Sequence, residues 1–512
     1  RLTLESAPPF VNYSRIGRAA GARPAARPGR VALHIPLPSD FDSIDPCVVT
    51  SVAAIEPSLA VFETLVRPNA EARVVPWLAS EFRQEDRGRR YVFRLRDDVR
   101  FHDGRRLTAR DVRFSFERLL RSKGDYDQLL FPVKGAERFA AGEADELDGF
   151  RIQSSSEFEI ELSRPLSILP ALLTCGAAAI VPDGTDRAAG TWQSGCVGTG
   201  PFRVAYAGSS GRLELEANPF YWRRGYPQSE RLSFTAENDS AARAAGFRDG
   251  KFSVAWLLAR ADEDALLRDP EHGARGVRVP EIATTLLVLN AKRGPLSDEM
   301  TRRRFASAFD VEGFVRRVEG PSAVPAHGLI PPGLLGHDPQ AAAEVPTVFD
   351  ESNATVKVTV SMTPPLRTAW GNEFVRWLGE RGFVARIVTD TYAEHEEAIS
   401  AGAIDIAATG WNFDYPDADS IVYGALHSSG RFGREFIASA EIDRLADLGR
   451  METDQEARRA IYRETEEIVA RRAHAIPLYY QRRWFFPGPG VEGIELNLFQ
   501  PYLSYEKLFI RE

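Results

Sequence analysis

The chain has 512 residues, 44% of them hydrophobic and 27% charged, with a formal net charge of −8 at neutral pH. That length exceeds what one hydrophobic core serves, so two or three domains are expected. The acidic balance argues against nonspecific nucleic-acid binding, which needs a basic surface, and no run of about eighteen apolar residues is present to cross a membrane as a helix.

Residues 1–30 are rich in Arg, Ala, Gly and Pro and read as a linker or lead-in. No secretory leader is legible, and the chain starts at Arg1, which leaves a trimmed start and a fused N-terminal module both open. Residues 31–35 read as a first strand, ended by the turn residues Asp42, Asp45 and Pro46. Residues 53–65 have a helical pattern. The stretch 88–120 then reads GRRYVFRLRDDVRFHDGRRLTARDVRFSFERLL. Tyr91, Phe93 and Leu95 alternate with other side chains, as in a half-buried strand. His102-Asp103-Gly104 supplies a turn, and Thr108 stands three residues before Asp111, the spacing of a capping box. Val112, Phe116, Leu119 and Leu120 follow at helical spacing.

Residues 150–165 read as a hairpin, with Phe158, Ile160 and Leu162 alternating in its second strand; residues 166–181 are apolar and helix-like. Gly198-Thr199-Gly200-Pro201-Phe202 reads as a turn into a strand. It lacks the third glycine of a dinucleotide fingerprint, and no Gly-Lys-Ser/Thr follows. Residues 286–290 are a buried-strand run. Ser297 is expected to cap a helix carrying Phe305, Ala308 and Phe309, and Asp310 the next helix. Strand 356–360, helix 373–381 and strand 383–388 form a βαβ pattern, which implies parallel pairing. Two amphipathic helices fit within 440–473, and residues 476–480 form another strand.

The candidate site follows the apolar run 404–407. Trp411, Asn412, Phe413, Asp414 and Tyr415 set three aromatics around one acid just beyond a strand, where open α/β sheets place their ligands. Aromatic walls with one fixed negative charge suit an amine-bearing organic ligand. Asp417 and Asp419 follow Pro416 and are expected to face solvent or cap the next helix. The eight histidines form no metal-ligand pattern: His395-Glu396-Glu397 has Ile399 where a zincin helix needs its second His. No nucleophile elbow and no cofactor motif emerge, so no enzyme, no cofactor and no metal are expected. Three cysteines are too few for a disulfide scaffold. Cys175 and Cys196 flank the segment before the Gly-Thr-Gly-Pro turn and are the pair open to bridging in an oxidising compartment.

The stretch 88–120 resembles a signature of the peptide/nickel family (family 5) of ABC-transporter solute-binding proteins, roughly Y-x-F-x-L-R-x-x-V-x-F-x-D-G-x-x-L-T-A-x-D-V-x-F-S. Gly198-Thr199-Gly200-Pro201-Phe202, Asn218-Pro219-Phe220-Tyr221-Trp222, Ile330-Pro331-Pro332 and Ile476-Pro477-Leu478-Tyr479 match further elements of that family, so the resemblance spans residue 31 to the C-terminus. It implies a type-II periplasmic-binding-protein α/β fold, with two lobes, an inserted third domain and a ligand cleft between the lobes. Lobe I would comprise 31–52, 191–280 and 485–512, the inserted domain 53–190, and lobe II 281–484. The implied function is capture of a solute, a peptide foremost, for delivery to an ABC permease in the membrane, by a protein that is periplasmic or extracellular and membrane-associated. The alternative is a ligand-sensing domain of a larger regulatory protein, which would be cytoplasmic. By the resemblance Asp414 aligns with the Asp that holds a peptide's α-ammonium, and Thr50, Val52 and Phe114 align with pocket positions. Ala408 stands where tripeptide binders of the family carry an Arg for the ligand carboxylate, which sets the chain apart from them.

Overall fold

The computed structural model describes residues 32–41, 43–122, 124, 126–185, 196–208, 211–320, 323–339, 355–437 and 439–511. The lead-in 1–30 lies outside them. Strand Leu33–Leu37 pairs in parallel with Arg231–Ala236, and Arg212–Ala217 and Phe202–Ala207 continue this four-stranded sheet antiparallel. Leu33, Ile35 and Leu37 share its core with Phe202, Leu215 and Phe234. Helix Val52–Val61 adds Ala53, Ala60 and Val61 to that core, and its N-cap Ser51 accepts the Ala54 N–H at 3.3 Å. Gly198 and Gly200 pass directly against this helix. A Cβ on Gly200 would stand 2.6 Å from the Val61 carbonyl, so glycine is needed here for close approach and not for phosphate binding.

The middle of the chain builds a second, wholly antiparallel sheet in the order Ala79–Glu85, Arg90–Leu95, Glu157–Glu161, Phe150–Ile152. Its inner face stacks Phe82, Phe93, Phe158 and Phe150 ring on ring at 5.7, 5.4 and 4.8 Å, and Phe116 of helix Ala109–Arg121 meets Phe150 edge-on. The expected capping box is present: Asp111 accepts the Thr108 N–H at 2.8 Å and its hydroxyl at 2.6 Å. Further along this helix, Arg118 is fully buried against Asp45, at 2.7 and 2.5 Å, in a bidentate pair that ties the two sheets' chains together.

The third sheet has six strands in the order Val254–Trp256, Ala475–Pro487, Val277–Leu289, Ile406–Asn412, Val356–Met362, Phe383–Ile387. The expected βαβ unit is there, with parallel pairing at 356–362, but the other half of the sheet is antiparallel. Leu286 and Val288 face one core while Leu287 and Leu289 face another, which is why this strand reads as an unbroken apolar run. The two 13-residue strands, Val277–Leu289 and Ala475–Pro487, are the bridge between lobes. At one end Val254, Trp256 and Phe485 pack with Leu33, and at the other Leu287 and Leu478 pack with Val360 and Ile406. Their pairing slips between 280 and 284 and again between 285 and 286, midway across.

Several expectations change in detail. Pro170 and Gly176 divide the apolar stretch 166–181 into a single turn, Leu169–Leu172, and a 3-10 turn, Gly176–Ala178. Asp298, not Ser297, caps helix Glu299–Ala308, because its carboxylate reaches the Thr301 N–H at 2.8 Å. Helix Pro364–Gly379 starts nine residues before the expected 373, since Pro364 and Pro365 sit in its first turn, where no N–H is needed. Cys175 and Cys196 are not bridged. Both are free and buried, in the cores of different sheets, as is Cys47.

Candidate functional site

Strand Ile406–Asn412 carries the chain to the space between the lobes and ends there. Ala408, within it, is fully buried and faces the core of the second lobe, so no ligand group reaches that position. Trp411 is half-buried; its ring leans on Phe432 and its indole N–H donates to Ser420 Oγ at 3.3 Å. Phe413 turns inward, joins the core of the second lobe and donates its N–H to the Ile282 carbonyl at 3.1 Å. Tyr415 turns the opposite way and joins the core of the middle sheet. The residue between them, Asp414, is left facing the open space, with Asn412 also exposed.

Two cavities meet at Asp414, and a third begins beside them at Asn412. The largest, about 1100 Å³, lies between the middle sheet's loops and the second lobe, and is walled by Thr50, Tyr126, Trp411, Asp414, Tyr423 and Arg434 among others. A small enclosed one of about 80 Å³ holds Thr50, Val52, Cys175, Asn412, Phe413 and Asp414. A third, about 690 Å³, continues past Asn412 to Arg278, Gln481 and Trp484 on and beside the bridging strands. Asp414 opens onto the first two. Although it faces the cleft, protein crowds it from both lobes. Burial pushes its carboxyl up to about 6, and a hydrogen bond from the Tyr126 hydroxyl pulls the other way. Burial, with the Asp414 charge adding to it, lifts the neighbouring Cys175 thiol to about 12.

The acids after Pro416 are not at solvent. Asp417 accepts from Arg458 Nη2 at 2.8 Å and the Tyr462 hydroxyl at 3.2 Å; Asp419 is fully buried and accepts from Arg450 Nε at 3.0 Å and the Tyr415 hydroxyl at 2.9 Å. Asp417 also accepts the Asp419 N–H at 3.0 Å, two residues on, but the short helix Asp419–Ile421 has Ala418 at its N-cap position and no side-chain cap. Both acids are therefore neutralised by protein cations. Of the expected pocket residues, Thr50, Val52, Trp411, Asn412, Phe413, Asp414 and Tyr415 border these cavities. Phe114 does not: it is buried in the core of the first sheet. Sequence reading missed Tyr126, Tyr423, Arg431 and Arg434. The Arg pair in Gly430-Arg431-Phe432-Gly433-Arg434 is visible in the sequence, but only the fold sets it on the wall of the cavity that Asp414 borders.

The architecture is that of a two-lobed binding protein whose ligand space lies between lobes joined by paired strands. The chain belongs to the bacterial extracellular solute-binding proteins of family 5, whose pattern matches residues 73–433. Among curated relatives, the probable deoxycholate-binding periplasmic protein YgiS of Escherichia coli is 24% identical, with 92% of each chain covered. The probable D,D-dipeptide-binding periplasmic protein DdpA of the same organism is 26% identical over 82% of each chain. Among solved structures, the clavulanic acid biosynthesis oligopeptide binding protein 2 superposes with a TM-score of 0.83 at 20% identity, covering 95% of this chain and 96% of that one. The unliganded open form of the periplasmic murein tripeptide binding protein MppA gives 0.77 at 19% identity, covering 94% and 97%. The fold and its solute-binding role are thereby shown.

Proposed function

We propose that this protein captures an amine-bearing organic solute, a peptide foremost, in the interlobe cleft, and passes it to an ABC permease in the membrane. The observation that carries this reading is Asp414, a carboxylate with no cationic protein partner among the described residues, held in a crowded cleft by Tyr126. Its neighbours Asp417 and Asp419 show what a protein cation does when one is meant to be there. An ammonium from the ligand supplies the missing charge at Asp414. Arg434, on the wall of the same cavity, offers an acidic group of the ligand a partner, while its neighbour Arg431 is already paired with Glu396 at 2.5 Å. The amine anchor agrees with relatives named for dipeptides and murein peptides, while YgiS is named for a ligand of another kind, deoxycholate.

The chain's family is one of solute-binding proteins, and we read the protein as a carrier without turnover. We place its action outside the cytoplasmic membrane, as for the relatives named periplasmic. Native mass spectrometry of protein purified from its source, followed by titration of the released ligand and its N-acetylated form, tests the reading. A bound amine whose acetylation abolishes binding is expected; a bound ligand with no amine refutes it.

A further inference from the structure

A separate cavity of about 270 Å³ lies within the second lobe and shares no lining residue with the cleft. Its walls are mainly apolar, with Phe309, Ala326, Leu329, Val469 and Ile476 around Glu466 of helix Gln455–Arg471. Glu466 is only 4% exposed. Its Oε1 accepts the N–H groups of Leu329 at 2.5 Å and Ile330 at 2.9 Å, while Oε2 has no hydrogen-bond partner among the described residues. The loop comes this close because residue 328 is Gly: a Cβ there would stand 2.6 Å from Oε1. The nearby Arg463 is turned to Asp338, at 3.4 Å, and no Lys or Arg lines the cavity. A half-satisfied buried carboxyl is costly unless something completes it.

We propose that this cavity is a second ligand site, which takes a small primary ammonium with a compact apolar body, its N–H seated on Glu466 Oε2. The volume corresponds to roughly nine liquid waters, which limits the guest to about that number of heavy atoms. The apolar walls select a hydrocarbon body over a polar one. Burial lifts the Glu466 carboxyl to about 8, against the pull of its two backbone N–H bonds, so the group holds a proton when alone and releases it to solvent as an ammonium takes its place.

Cyclohexylammonium is a suitable probe, titrated calorimetrically at mildly alkaline pH into the Asp414→Asn protein so that the cleft anchor is disabled. One saturable site is expected. Glu466→Gln keeps the backbone bonds but removes the charge, and should weaken binding by at least about tenfold, the scale of a charge-assisted hydrogen bond. Ala470→Leu, which fills the half-buried rim with little risk to folding, should weaken it comparably, and cyclohexanol should bind at least about tenfold more weakly than the amine. No saturable binding, equal binding by Glu466→Gln, or equal binding of the alcohol would overturn the proposal. Because Asp414 is absent from the assay, these outcomes are separate from the fate of the cleft reading.

Discussion

Replacing Asp414 by Asn is the most direct perturbation of the cleft. Asn keeps the shape and the hydrogen bond to Tyr126 but carries no charge. Truncating one member of a buried charge pair costs about 2–5 kcal/mol in binding. Asp414 retains access to cleft water, which screens it, so the low end applies: about 2–3 kcal/mol, roughly 30- to 150-fold in Kd for an amine ligand. The pH dependence follows from the same group. With the carboxyl held near 6, nine-tenths of it is ionised at neutral pH and one-tenth at pH 5, so wild-type affinity should fall about tenfold across that interval while the variant stays flat. Without ligand the sign of the stability effect reverses. A carboxyl whose folded value is raised binds more protons folded than unfolded, so its contribution falls as pH rises from about 4 to 6. Asp414→Asn therefore melts at an equal or slightly higher temperature at neutral pH, by less than about 1 kcal/mol given the solvent access. Calorimetric titration at both pH values, with free and N-acetylated ligand, checks all of this. Equal affinity of wild type and variant for the free amine, or a wild-type affinity that does not change with pH, refutes the anchor.

Other perturbations test the scaffold. Phe93→Ala opens the ring stack of the middle sheet and should cost about 3–5 kcal/mol in urea unfolding; a loss below about 1 kcal/mol would contradict the packing. Asp45→Ala strands a buried guanidinium and should cost about 3–5 kcal/mol, whereas a near-neutral result would mean Arg118 finds water. Burial, the leading cause in each case, holds all three thiols near 12, so native protein should resist a thiol reagent at pH 8 and release three thiols on denaturation. Finding one thiol there would restore a disulfide.

How much of this was legible follows physical lines. The capping box at Thr108 and the alternation at Tyr91-Phe93-Leu95 are local signals, and both elements formed where the residues demanded. The exposure of Asp414 within Phe413-Asp414-Tyr415 was legible because alternation sends the middle residue away from the cores that take its two neighbours. Asp417 and Asp419 were misread, since their partners Arg458 and Arg450 lie more than thirty residues on and nothing local announces them. Phe114 was misread for the opposite reason: an amphipathic helix has two candidate faces when it sits between two sheets, and only the tertiary packing chooses.

The arrangement of Phe413, Asp414 and Tyr415 also bears on descent. The two rings hold the loop, one in each core, while the acid between them belongs to neither core and makes its hydrogen bond to Tyr126 at the cleft. Selection can exchange that one side chain without dismantling the fold around it. With the proposed anchor role of Asp414, a lineage built on such a loop would inherit its architecture from the aromatics and change its diet at the residue between them.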